Sequence, residues 1–120
     1  MSQQFEAGDF LIFQLEAGYA LLKILAIDGD GDERVWHLAA YEDLFMDVDS
    51  ADDAISNNAA LLKLGNPHLA LTTRAFLSTQ VARMGNAGVS DEERERVSAW
   101  RLDPTSHASD RSVRLLLGLR

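Results

Sequence analysis

The first quarter of the chain contains two apolar runs, residues 10–15 and residues 19–27, which are separated by Glu16, Ala17 and Gly18. Alternate residues of a strand face opposite sides of a sheet, and here both sets are largely apolar. Strands of this kind are covered on both faces. The glycine suits a tight turn between them. The pattern therefore predicts a long β-hairpin around which the other elements pack.

A third strand is predicted over residues 34–40, after an acidic turn at residues 28–32. Val35, Trp36 and Leu38 supply its apolar positions. Residues 41–45 fit either a further short strand or a bend. Three successive strands favour an antiparallel meander, either open or curled into a small barrel.

Beyond residue 50 the apolar period changes from that of strands to that of helices. Ser50 is a suitable N-cap for a first helix, which Gly65 and Pro67 would end. Residues 68–73 alternate weakly and predict a return to the sheet. Residues 75–84 carry apolar side chains at helical intervals, so we expect a second helix there.

The last thirty or so residues begin with the clearest helix start in the chain, a capping box over residues 90–93. Val97 and Trp100 would form the inner face of the helix that follows. Residues 112–120 fit both a strand and a helix, and we favour a short helix capped near Ser109. The fold class predicted is α+β, a strongly bent N-terminal antiparallel sheet followed by three or four helices in a single domain over residues 1–120.

Length and composition agree with a globular protein. The chain has 120 residues, of which 47% are hydrophobic and 25% charged, enough for one core. It has no cysteine, which excludes disulfides, thiolate catalysis and cysteine zinc sites. The N-terminus shows no secretory signal, and the apolar runs are too short to span a bilayer. We therefore expect a soluble cytoplasmic protein.

The charge of the chain is unevenly distributed. Residues 1–60 carry 13 acidic and 2 basic side chains, a balance of −11, and residues 61–120 carry 6 acidic and 9 basic, a balance of +3, which together give −8. An acidic balance argues against nucleic-acid binding and against anionic membranes. It permits electrostatic steering toward a basic protein partner, while an acidic surface that simply keeps the protein soluble is the other explanation. Pairing between the two halves, within one chain or in a homo-oligomer, is the alternative.

The spacing of the aspartates in the acidic turn partly matches that of a calcium-binding loop. Asp28, Asp30 and Asp32 occupy alternate ligand positions, but the sixth position is Glu33 rather than glycine and the twelfth is Ala39 rather than glutamate. An acidic hairpin turn explains the residues better, and no metal is predicted. As a surface that meets a basic partner, we select six partner-binding carboxylates: Asp28, Asp30, Asp32, Glu33, Asp47 and Asp49.

The alternative function is a small-ligand-binding protein or an enzyme with a pocket between sheet and helices. His37 or His68 would act there beside a carboxylate. The sequence contains no nucleophile elbow, no phosphate-binding glycine loop and no ligand-spaced histidine motif, so no catalytic residue and no cofactor is predicted.

Three features together resemble a known class of proteins: Gly8-Asp9 entering an apolar strand, Gly18-Tyr19-Ala20 opening the next, and the residues 90–93 followed by Trp100. The chain resembles small bacterial immunity-type proteins of polymorphic toxin systems that begin with an SH3-like barrel. The matching elements lie in residues 7–27 and 89–100. The resemblance implies a non-enzymatic protein that binds and blocks a toxin, and an acidic first half would suit a basic nuclease.

Overall fold

The computed structural model describes residues 5–118, apart from the side chain of Asp32. The strands are β1 (Asp9–Leu15), β2 (Gly18–Asp28), β3 (Val35–Phe45), β4 (Leu64–Thr72) and β5 (Ala82–Asn86). The helices are α1 (Val48–Asn58), α2 (Thr73–Leu77), α3 (Asp91–Leu102) and α4 (Val113–Leu117). Short 3-10 turns lie at Gly31–Glu33 and Ala59–Leu61.

The five strands form one antiparallel sheet in the order β4-β3-β2-β1-β5. The predicted α+β class and the predicted hairpin of β1 and β2 are confirmed. The barrel is not formed within the described residues, because β4 and β5 are the two edges of the sheet and do not pair with each other. Helices also cover both faces of the sheet, which leaves no reason for it to close on itself.

The two faces of β1 differ in what covers them. Leu11 and Phe13 point into the main core, which is completed by α2 and α4. Ile12 points to the opposite face and packs on α1, and Val97 of α3 packs further along that face. Every residue of β1 except Gln14 is buried. The prediction that this strand is covered on both faces is therefore confirmed.

Helix α1 begins earlier than predicted. Its N-cap is Asp47, whose carboxylate accepts a hydrogen bond from the Ser50 backbone N–H at 2.7 Å, so Ser50 lies inside the first turn. The helix ends at Asn58, and Gly65 and Pro67 belong to β4. A proline without an N–H is compatible with β4 because β4 is an edge strand. Residues 41–45 continue β3, so this segment is a strand and not a bend.

The helix predicted over residues 75–84 is wrong. Helix α2 ends at Leu77, and residues 82–86 form β5 on the outer edge of β1. The fully buried carboxylate of Asp9 explains this pairing. It accepts hydrogen bonds from Arg83 at 2.9 Å and from Asn86 at 3.0 Å, both in β5. Pairing with β1 thus overrides the local helical pattern of residues 75–84. As a result, strands and helices alternate along the chain, instead of a sheet being followed by helices.

The predictions for the two C-terminal helices, α3 and α4, agree more closely with the structure. The Ser90 capping box at the start of α3 is present with both of its hydrogen bonds. The tail forms the short helix α4, which the prediction favoured over a strand, but its N-cap is Ser112. Ser109 instead forms a bridge with Leu71 on the edge of β4.

Candidate functional site

Residues 42–53, the end of β3 and the start of α1, combine exposed apolar side chains with several carboxylates. Leu44, Met46 and Val48 are 51%, 91% and 45% exposed. Carboxylates surround them in the sequence, and no lysine or arginine occurs between Arg34 and Lys63. We call this surface the acidic face; its members are Leu44, Met46, Val48, Glu42, Asp43, Asp47, Asp49, Asp52 and Asp53.

The carboxylates of the acidic face have only local, uncharged partners. Asp47 caps α1, and hydrogen bonds from the Ser50 side chain and from the Ser50 backbone N–H lower the pKa of its carboxyl. Asp43 accepts from the Lys63 backbone N–H, and Asp53 accepts from an amide side chain, each at 2.7 Å. No ion pair of the described residues includes any of the six acids. None of the six is therefore held in an ion pair within residues 5–118, although Lys63 lies beside Asp43.

A groove of about 420 Å³ opens beside the acidic face. It lies between α4 and the neighbouring ends of β3 and β4, and we call it the α4 groove. Its lining is mainly apolar and shares two residues with the acidic face. The lining residues that matter below are Ala20, Ala40, Glu42, Leu44, Leu116 and Leu117.

The six carboxylates selected from the sequence divide into two groups. Asp47 and Asp49 belong to the acidic face, where both are exposed. Asp28, Asp30 and Glu33 lie at the other end of β3, whose 11 residues span roughly 35 Å. Asp30 and Glu33 are exposed there. The backbone of Asp32 lies in the same turn, while its side chain is outside the described part of the structure.

Asp28 is occupied by internal partners. Arg101 of α3 donates from Nε to Oδ2 at 2.9 Å and from Nη2 to Oδ1 at 2.5 Å. His37 Nε2 lies 2.9 Å from Oδ2. The hydrogen bond from Arg101 is the largest influence on the Asp28 carboxyl and lowers its pKa. Asp28 thus connects the sheet to α3 through its hydrogen bonds with Arg101.

The two predicted histidines are brought together beside Asp28. His37 Nδ1 lies 2.8 Å from His68 Nε2, the ring planes differ by 8°, and the ring centroids are 5.1 Å apart. Such long centroid spacing at so short a nitrogen distance means that the rings lie edge to edge, nearly in one plane. With Asp28 ionised, His37 donates from Nε2, and His68 donates from Nε2 to His37 Nδ1. The three residues form one hydrogen-bonded chain.

Helix α3 covers this chain, and the Trp100 ring stands across both imidazoles at centroid distances of 4.9 and 6.3 Å. His37 is fully buried, whereas His68 is partly exposed. Burial lowers the pKa of His37 despite the opposing effect of Asp28. Burial lowers the pKa of His68 to about 4, and the positive charge of Arg96, with that of His37 whenever His37 is protonated, acts in the same direction. Both imidazoles are therefore neutral at physiological pH.

A second polar pair joins α3 to the sheet at the other end of the helix. Lys23 Nζ and Glu93 Oε1 lie 2.9 Å apart, and each residue is only 7% exposed. Burial alone would raise the pKa of Glu93, but hydrogen bonds from Ser90 and Lys23 outweigh it and lower the pKa. Val97 is the buried apolar residue between this pair and the Asp28–Arg101 pair. Polar contacts thus dominate the docking of α3.

The histidine cluster lies outside the three cavities found among residues 5–118. The cavities described measure about 440, 420 and 290 Å³, and neither His37 nor His68 belongs to the lining of any of them. The apolar members of the acidic face were missed from the sequence, because apolar residues are assigned to the core by default. The stretch without lysine or arginine is a signal in the sequence that could have identified this segment.

Comparison with known proteins yields no relative. No family model matches the chain, and neither a curated protein nor a solved structure matches it significantly. Among the described residues, no helix combines the length and apolar character needed to cross a membrane. The geometry of the chain itself is therefore the basis for a functional proposal.

Proposed function

We propose that this protein is a non-enzymatic binding protein that holds a basic protein partner on the acidic face. One observation carries the proposal. Leu44, Met46 and Val48 are exposed, and the carboxylates next to them in the sequence form no ion pair within residues 5–118. Apolar anchors inside a polar rim are the usual anatomy of a protein interface.

The apolar anchors would supply most of the binding energy. Met46 is the most exposed of them, at 91%, and methionine adapts its flexible side chain to a partner surface. Leu44 and Val48 flank it at 51% and 45% exposure. Burying apolar area contributes roughly 25 cal/mol per Å² before the costs of association are subtracted.

The carboxylates would control the encounter and the choice of partner. Charges of one sign on one surface attract an oppositely charged protein and raise its association rate, an effect that salt screens. Asp49 and Asp52 are exposed and make no hydrogen bond or ion pair within the described residues. An acidic or neutral partner would gain nothing from these carboxylates.

An immunity-type inhibitor is the specific form of this proposal. The sequence resemblance to immunity-type proteins of toxin systems and the acidic face both support it. The partner would then be a basic toxin, such as a nuclease, whose active surface the acidic face covers.

The enzymatic alternative has less support. His37 and His68 do lie beside a carboxylate, as that hypothesis requires, but they are hydrogen-bonded to each other and to Asp28. They also lie outside the cavities described above. A role in fixing α3 on the sheet accounts for the cluster.

The experiment captures partners from the source cells on the immobilised protein. The wild type is compared with Met46→Asp, which places a charge among the anchors, and with Glu33→Gln, which changes one exposed acid at the opposite end of β3. Proteins retained by the wild type and by Glu33→Gln, but not by Met46→Asp, are purified and titrated at several salt concentrations. We expect a basic protein whose association slows as salt is added.

A paired Asp49→Asn and Asp52→Asn variant then isolates the role of charge. Its association should be slower than that of the wild type and less sensitive to salt, with dissociation almost unchanged. If partners bind all variants equally, or if the captured protein is acidic, the acidic face is not the binding surface.

A further inference from the structure

The α4 groove adjoins the acidic face but differs from it in shape. Leu44 of β3 and Leu116 and Leu117 of α4 contribute large apolar side chains to its lining. Ala20 and Ala40 contribute small ones. The groove is therefore an apolar slot of about 420 Å³ at the edge of a negatively charged surface.

Glu42 gives this slot a charged rim. It is exposed, and its side chain lies over Gly65, where a Cβ atom would come within 2.9 Å of the Glu42 Cγ atom. Within the described residues, its carboxylate has no hydrogen-bonding or ionic partner. The Glu42 Cγ atom thus lies close to the backbone of β4, and Glu42 is the acidic residue in a lining that is otherwise mainly apolar.

We propose that the α4 groove receives an arginine side chain of the basic partner. The aliphatic part of the arginine would pack against Leu44, Leu116 and Leu117, while its guanidinium would meet the carboxylate of Glu42. Arginine combines an apolar stem with a planar charged head, and that head binds carboxylates through two parallel hydrogen bonds. This inference rests on the proposed function, since it names the contact by which the partner is anchored.

Other occupants fit the slot less well. An aromatic or aliphatic side chain would leave Glu42 beside an apolar group and without a partner, which is unfavourable for a carboxylate that loses water. A lysine ammonium is a compact point charge and lacks the second parallel hydrogen bond. The negative charge of the neighbouring acidic face favours a positively charged occupant, whether arginine or lysine, over an aromatic or aliphatic one.

The test uses three short peptides of otherwise identical sequence that carry arginine, lysine or citrulline at the same positions. Citrulline keeps the shape of arginine but is uncharged. Binding is followed through the backbone amide NMR signals of the full chain and by calorimetry. With the arginine peptide we expect the signals of Gly65, Asn66 and Leu117 to move, with smaller shifts for lysine and none for citrulline.

Two variants connect the signal to the groove. Glu42→Gln should weaken the arginine peptide about tenfold, because a hydrogen bond between charged groups becomes an ordinary one. Glu33→Gln removes the same charge at the opposite end of β3 and should leave the affinity within about twofold of the wild type. Leu44→Ala tests the apolar wall and should weaken the arginine peptide several-fold. Unchanged thermal unfolding of each variant excludes a loss of fold.

The inference is overturned if the groove signals do not move, if citrulline and arginine bind equally, or if Glu42→Gln and Glu33→Gln have the same effect. It is also overturned if the groove signals depend on protein concentration and light scattering shows self-association, because the occupant is then a second copy. If Met46→Asp abolishes capture of a partner but Glu42→Gln does not weaken it, the arginine anchor fails while the proposed function stands. If neither variant affects that partner, both fail.

Discussion

Lowering the pH from neutrality toward 5 should destabilise the fold through His68. Its pKa in the folded protein is about 4, against 6.5 for an ordinary histidine, so the unfolded chain binds a proton in this range that the folded chain does not. Stability contributed by the neutral imidazole is therefore present above pH 6.5 and is lost as the pH falls toward 4. The charged groups around it are Asp28, Arg96 and Arg101, with the neutral His37 as its hydrogen-bonding neighbour.

The magnitude follows from the separation of the two pKa values. Each pKa unit corresponds to about 1.36 kcal/mol, so the drop to pH 5 removes roughly 2 kcal/mol from the free energy of unfolding. Because the His68 ring is partly exposed, solvent screening reduces this to about 1 kcal/mol. The pKa of His37 is also lowered and adds a loss of the same sign. Asp28 and Glu93 have lowered pKa values and remain ionised at this pH, so their contributions are lost only under stronger acid.

Urea unfolding followed by circular dichroism at several pH values between 7 and 5 measures this loss. His68→Gln should flatten the decline, because the variant has no imidazole to protonate at this position. His107→Gln is the control, since His107 is exposed and lies outside the hydrogen-bonded chain. A wild-type stability that does not fall between pH 7 and 5, or a decline that His68→Gln leaves intact, would refute the reasoning.

Three further predictions concern the packing of the sheet. Lys23→Met leaves Glu93 buried without its cation and should lower the free energy of unfolding in urea by about 3–5 kcal/mol. Adding Glu93→Gln, which retains the capping geometry, should recover part of that loss. If the double variant recovers nothing, the pairing of Lys23 with Glu93 is contradicted. Gly18→Ala should lower stability by about 1–3 kcal/mol, because Gly18 has a φ of +152° and a Cβ there would lie 2.6 Å from the Phe45 carbonyl oxygen. An unchanged midpoint of urea unfolding would be inconsistent with that contact. Phe76→Ala should cost about 3–5 kcal/mol, measured by thermal unfolding, since Phe76 is 1% exposed; a loss below about 1 kcal/mol would mean that the ring is not part of the core.

Part of the candidate site was visible in the sequence. Asp47 and Asp49 were selected from the acidic first half of the chain, and the absence of lysine and arginine between Arg34 and Lys63 would have narrowed that selection to this segment. The exposure of Leu44 and Met46 could not be predicted, because an apolar residue gives no indication of whether another element covers it. The groove beside them depends on where α4 docks, some seventy residues later in the chain.

The sequence by itself determined the features that arise from neighbouring residues. The β1–β2 hairpin follows from two apolar runs joined at Gly18, and the start of α3 follows from the Ser90 capping box. Alternation also placed Leu11 and Ile12 on opposite faces of the sheet. These features are local because strand alternation and helix capping involve residues only a few positions apart.

Only the tertiary structure decided which distant residues meet. β5 exists because β1 has a free edge and Asp9 needs partners from residues 82–86, which outweighs the local helical pattern. Asp28 meets Arg101 only because α3 returns across the face of the sheet, and no spacing in the sequence encodes that contact. Long-range pairing depends on the free energy of the whole packed chain, so local patterns predict elements but not the surfaces that they leave exposed.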